Sequence, residues 1–129
     1  ALGVLGKKGQ GSQAHYHLAP DSVDLLIGTL GKAFGTAGAF VAGSPELINS
    51  IRQFARSYMF STAMPPLLCA ATLAALEIMQ TTDIVEQLQK NISYFQAAMH
   101  AHDCNLVNQD NTAIQPIIVG SSEKALALT

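Results

Sequence analysis

Charge is what this 129-residue chain has least of. Only 12% of its residues are Asp, Glu, Lys or Arg, and the net charge is −2. That is about half the charged fraction of an ordinary soluble domain. Without a basic patch there is no electrostatic footprint for nucleic acid, and without an acidic run there is no interaction tail. Cysteine is nearly absent too, with two residues, Cys69 and Cys104, in no metal-ligand spacing. A disulfide framework is therefore excluded, and a reducing cytosol, a cytoplasmic location, is the expected compartment. Long apolar runs are missing as well. The longest apolar helix candidate, Pro66 to Met79, is too short to span a bilayer and ends beside Gln80 and Thr81. No stretch reads as a signal peptide. Against these absences stands a hydrophobic content of 49%, enough for the core of one domain. So apolar a chain with so little charge is expected to have its surfaces covered by other parts of a larger protein.

What the chain does have is a lysine among glycines. The stretch Gly28-Thr29-Leu30-Gly31-Lys32-Ala33-Phe34-Gly35-Thr36-Ala37-Gly38 follows directly on the apolar run Val23 to Ile27. A strand that leads into glycine-permitted turns would hold Lys32 at the edge of a core, where desolvation favours the neutral, nucleophilic amine. A nucleotide P-loop is rejected by spacing, since Leu26 stands five positions before Gly31 and Ala33 follows Lys32 where a magnesium-binding hydroxyl is required. The dinucleotide glycine fingerprint is absent from this segment. Thr29, three residues before Lys32, could bind a phosphate while the amine meets a carbonyl of the same ligand. A phosphate joined to an aldehyde describes pyridoxal 5'-phosphate. Spacing alone leaves equally open a glycine-rich turn carrying an exposed lysine.

Three signatures go further: GVLGKKGQG at Gly3 to Gly11, GTLGKAFG at Gly28 to Gly35, and RQFARSYMFSTAMPP at Arg52 to Pro66. In these segments the chain resembles the α-oxoamine synthases, pyridoxal-phosphate enzymes of the aspartate-aminotransferase fold type. FSTAMPP, and AIQPIIVG at Ala113 to Gly120, resemble the biotin-biosynthesis branch, the 8-amino-7-oxononanoate synthases, more than the branches that make aminoketobutyrate, aminolevulinate or a sphingoid base. The resemblance implies that Lys32 bonds the cofactor aldehyde and that Thr29 binds its phosphate. It also implies that Ser61 and Thr62 reach the cofactor phosphate of a neighbouring subunit in a homodimer. The implied reaction condenses an amino acid, L-alanine, with an acyl-coenzyme A, the pimeloyl thioester, with loss of CO2.

Family members carry an Asp-x-x-His just before the Gly-Val-Leu-Gly segment and an arginine for the amino-acid carboxylate near the C-terminus. Neither is found in this sequence, so the chain reads as an internal fragment that is expected to be inactive alone. Two alternatives stay open. One is a non-catalytic or split-enzyme subunit that keeps the cofactor-domain shape and binds a partner; the other is a different α-oxoamine synthase, such as glycine C-acetyltransferase or 5-aminolevulinate synthase.

Alternating strand and helix patterns predict α/β architecture, part of the large cofactor domain of a fold-type I pyridoxal-phosphate transferase, with a mainly parallel sheet. Strands are expected at Val23 to Ile27, Ala39 to Ala42, Tyr58 to Phe60 and Ala113 to Val119. Helices are expected after Ser44-Pro45, after Pro65-Pro66 and from Asp83, with another beginning at Ser121. The helix after Pro66 is nearly apolar all round, which predicts burial on several sides. Residues 1–110 are expected to belong to the large domain, and 111–129 to begin a smaller one.

Lesser features read plainly. The pairs His15/His17 and His100/His102 lack helical i, i+4 spacing and read as solvated rather than as zinc ligands. Lys7 and Lys8 read as a solvated loop, with anion binding as the rival. Arg52 and Arg56 read as helix anchors, with a substrate-facing role as the rival.

Overall fold

In a computed structural model of the protein, residues 1–104, 106–108 and 110–128 are described. They form helix α1 (Ser12–His15), strands β1 (Leu25–Thr29) and β2 (Ala39–Gly43), and helices α2 (Pro45–Phe54), α3 (Arg56–Met59), α4 (Pro66–Thr81), α5 (Ile84–Ala101) and α6 (Ser122–Ala127). A single 3-10 turn, Lys7–Gly9, precedes α1.

Local chemistry explains most boundaries. Ser44 caps α2, its Oγ accepting from the Leu47 amide at 3.3 Å, and Pro45 fills the first helical position, where no amide partner is needed. Ser121 caps α6 in the same manner through the Lys124 amide. Pro66 opens α4. Between α2 and α3 a single extended residue, Ala55 with ψ 101°, interrupts the helical path.

Two compact units result, Ala1–Val85 and Glu86–Thr129. The boundary expected near residue 110 falls inside the second unit. In the first unit β1 and β2 pair antiparallel, with Leu25 opposite Gly43, Gly28 opposite Phe40 and Thr29 opposite Ala39. Among the described residues this two-stranded ladder is the whole sheet, so the parallel pairing expected from the alternation is not formed within them. In the second unit Ile92 and Leu106 are buried, and among its described residues the only pairing of strand type is an antiparallel bridge from Leu106 to Ile117. The segment 113–119 thus does not form the strand that its apolar residues predict; Pro116 in its middle has no amide to donate to a ladder.

Three further expectations are corrected. Residues Tyr58 to Phe60 are not a strand: the Met59 amide donates to the Ala55 carbonyl at 3.0 Å and the Phe60 amide to Arg56 at 3.1 Å, which closes one helical turn. A three-residue apolar run has no period from which strand and helix can be told apart. Residues 12–15, where a glycine-studded loop ending at Ser12 gives way to a stretch up to Ser22 that reads as irregular in the sequence, form the short helix α1. Helix α4 buries none of its residues within the chain, Leu67 and Leu73 being mostly exposed, so its apolar circumference is left open. No single helix among the described residues is long and apolar enough to cross a membrane.

Candidate functional site

Strand β1 ends at Thr29, and the chain then turns back on itself before starting β2. The turn is held by its own backbone: the Leu30 amide donates to the Gly38 carbonyl at 2.9 Å, the Thr36 amide to Leu30 at 3.1 Å, and the Gly35 amide to Lys32 at 3.0 Å. Leu30 is the buried root of this loop, 7% exposed. Lys32 stands at the loop's outer edge, exposed, and so is Thr29. The desolvation expected of Lys32 is therefore not supplied by the described residues of this chain. What they supply is a rigid mount that presents an amine three residues after a hydroxyl at a strand's carboxyl end.

Two neighbours brace the mount. Thr36 Oγ1 lies 2.9 Å from Thr72 Oγ1 in α4, and Thr72 Oγ1 donates in turn to the Leu68 carbonyl at 2.8 Å, so the loop is tied to the side of that helix. On the other side the opening loop presses Gly3 against Ala33. A Cβ on Gly3 would overlap that of Ala33, and Gly3 has a φ of 81°, so both space and backbone demand glycine. The opening loop is itself closed by hydrogen bonds from the Gly3 amide to Gly9 at 2.7 Å and from the Gly11 amide to Leu5 at 2.8 Å. Neither brace was legible in the sequence. Thr36 and Thr72 are 36 positions apart, and an isolated pair of threonines carries no motif.

Ser61 and Thr62 follow α3 and are exposed. Ser61 Oγ donates to the Ser57 carbonyl one turn back. Their segment approaches the lysine loop at its far end, where a Cβ on Gly38 would lie 2.5 Å from Met64 Cε. No hydrogen bond between these hydroxyls and Thr29 or Lys32 is found among the described residues. Arg52 and Arg56 are exposed. Lys8 is exposed, and its Nζ also donates to the Gln80 carbonyl at 2.6 Å. Among the described residues no three His, Cys, Asp or Glu side chains gather as a metal site.

A cleft of about 250 Å³ opens beside β1, lined among others by Leu2, Leu18, Val23, Leu26 and Phe40. It is mostly apolar and reaches Gly28, next to Thr29, but neither Thr29 nor Lys32 lines it. The amine and hydroxyl therefore form an open surface on the loop rather than the floor of a cavity.

An amine on a braced loop at a strand end has known counterparts. Residues 2–129 match the aminotransferase class I and II family. The chain belongs to that family. Enzymes of the family depend on pyridoxal phosphate. Among its curated relatives, the 8-amino-7-oxononanoate synthase of Hydrogenovibrio crunogenus is 45% identical over 126 residues, 97% of this chain and 32% of that protein. The synthase of Ectopseudomonas mendocina is 47% identical over 129 residues, 99% of this chain and 33% of that protein. The chain thus spans about a third of the length of the curated relatives it matches. Among solved structures, the 8-amino-7-oxononanoate synthase of Francisella tularensis superposes with a TM-score of 0.87 at 33% identity, over 99% of this chain and 38% of that one. The serine palmitoyltransferase of Sphingomonas wittichii reaches the same TM-score at 24% identity, over 98% of this chain and 32% of that one, which is a likeness of fold. The fold is accordingly that of a fold-type I transferase, with the two-stranded ladder and its helices matching the corresponding part of the larger proteins.

Proposed function

We propose that this chain is the lysine-bearing segment of a cytoplasmic, homodimeric acyltransferase of biotin biosynthesis. The enzyme condenses L-alanine with a pimeloyl thioester of coenzyme A and releases CO2. The observation that carries the reading is the identity of 45% and more with 8-amino-7-oxononanoate synthases along nearly the whole chain.

The residues suit pyridoxal 5'-phosphate. Lys32 offers an amine on a loop whose backbone is locked at Leu30 and Gly38, and Thr29 offers a hydroxyl at the end of the same strand. Pyridoxal phosphate supplies, when bound, an aldehyde for an amine and a ring that accepts an electron pair from the α-carbon of the amino acid. Lys32 would hold the aldehyde and would move the proton at the substrate α-carbon. Its amine must be neutral for that work, and closure of the site by parts of the protein beyond this segment supplies the desolvation that the exposed loop lacks. Thr29 would donate its hydroxyl hydrogen to the phosphate. Thr62, and Ser61 once its hydroxyl turns away from the Ser57 carbonyl, would do so for the neighbouring subunit's cofactor, which gives their exposed position a purpose.

Testing this requires the protein expressed at the length of its relatives and supplied with pyridoxal phosphate. Release of coenzyme A is then followed with L-alanine and pimeloyl thioester against glycine with acetyl or succinyl thioester and serine with palmitoyl thioester. The alanine and pimeloyl pair should give the highest kcat/KM, and preference for any other pair would reject the assignment. Lys32→Ala should lower that rate by at least about a thousandfold, as the loss of a reacting group does.

A further inference from the structure

Lys8 lies outside the set of residues that offer groups to the cofactor, yet its contacts lead to one of them. Its backbone sits in the left-handed region, φ 51°, a conformation few residues with a Cβ adopt. From there its ammonium reaches 72 residues along the chain to the carbonyl of Gln80, in the last turn of α4. A cation at that end meets carbonyls without helical partners and the negative pole of the helix. One residue earlier in α4, Met79 Sδ lies 3.7 Å from where a Cβ on Gly3 would sit, and Ala33 Cβ lies closer still to the same point. A closed circuit follows: Lys8 binds the end of α4, the opening loop it belongs to brings Gly3 up to both Met79 of α4 and Ala33, and Ala33 is the residue next to Lys32. Thr36 and Thr72 close the circuit on the other side of the loop.

We propose that Lys8 is a positioning residue for Lys32. Its charge-assisted bond to Gln80 clamps the opening loop onto α4, and the clamped loop sets the backbone at Ala33 and with it the direction of the Lys32 amine. This rests on the reading of Lys32 as the aldehyde-binding amine. Neutralising Lys8 releases the clamp without touching any group offered to the cofactor.

The test uses apoprotein at the length of its relatives, as wild type, Lys8→Ala, Lys8→Met and Lys8→Arg. Pyridoxal phosphate is added, the adduct is trapped with borohydride, and peptide mapping gives the rate and pH profile of pyridoxyl incorporation at Lys32. Hydrogen exchange at Leu30 and Thr36 is measured on the same apo samples. Lys8→Ala should slow labelling of Lys32 about tenfold, the scale of one charge-assisted hydrogen bond, shift its pH profile and speed exchange at both amides. Lys8→Met, which keeps the aliphatic stem and hence the fold should alanine lose it, should behave as Lys8→Ala does. Lys8→Arg should restore wild-type labelling, because a guanidinium also donates to a carbonyl. Unchanged labelling and pH profile in folded Lys8→Met, with Lys32 labelled in the wild type, would overturn the proposal alone. Absence of label on Lys32 in the wild type would overturn the functional reading and the proposal together.

Discussion

The lysine loop and the segment from α2 to Pro65 lie in the same compact unit and are built in opposite ways. Around Lys32 nearly every constraint is internal: backbone bonds across the loop, a hydroxyl pair to α4, and a glycine wedged against Ala33. Around Ser61 and Thr62 the side chains face outward, with Phe54 81% and Phe60 75% exposed and Tyr58 and Met59 beside them. Apolar rings of that size lie open in a monomeric surface only as an unfilled contact. The difference teaches that the amine's mount is specified by this segment alone. The hydroxyls, by contrast, are carried by a stretch whose outward apolar face suits the subunit contact proposed for it.

The sharpest way to break the comparison is to damage the internal side. Gly3→Val combines a left-handed backbone with overlap onto Ala33, so the lysine loop and opening loop must part. We expect a loss of about 3 kcal/mol in urea unfolding of the protein at the length of its relatives, the sum of overpacking and backbone strain. An unchanged midpoint would show that the wedge is not a constraint. A smaller effect is expected on the open side. Ser61→Ala with Thr62→Ala removes two exposed hydroxyls and the bond from Ser61 to the Ser57 carbonyl, so stability should fall by no more than about 1 kcal/mol. Affinity for pyridoxal phosphate should fall about a hundredfold, the scale of two lost hydrogen bonds to a charged group. Equilibrium dialysis measures this, and unchanged affinity would remove both residues from the site.

Much of the fold was legible because local signals and tertiary outcome agree. Ser44-Pro45, Pro65-Pro66 and Ser121 mark helix starts, and each helix begins there. The glycine spacing around Lys32 announced a loop at a strand end, and the structure has one at Thr29. Legibility failed where the deciding interaction is remote or absent. The bond made by the exposed Lys8 was not foreseen because its acceptor, Gln80, is 72 positions away. The segment 113–119 looked like a strand because apolar β-branched residues suit a sheet, but a strand also needs a partner, and among the described residues one bridge is all that forms. Lys32 looked desolvated because its flanking sequence is apolar, yet burial depends on what covers the loop, and the loop's own neighbours leave it open.

The smallest effect probes whether the open region is at least locally specified. Helix α2 buries none of its residues, so its start must rest on Ser44 and the first turn. There the Glu46 carboxyl is held below the ordinary carboxylate range, first by its own backbone amide and then by the Ser44 hydroxyl. A depressed carboxylate stabilises the fold fully above its ordinary pKa, and that contribution is lost as pH falls through the lowered value. Ser44→Ala should therefore do two things. It should cost about 1 kcal/mol at neutral pH through the lost cap, and it should let the Glu46 carboxyl titrate closer to its ordinary value, so that less of the remaining stability is lost in acid. A carbon-detected titration of Glu46 in wild type and variant separates the two effects. If the cap is lost and Glu46 titrates unchanged, the backbone amide alone holds the carboxylate and the hydroxyl contributes only through Leu47. If neither quantity moves, α2 owes its start to Pro45 and to packing beyond the chain, and the open region is specified from outside even at its first turn.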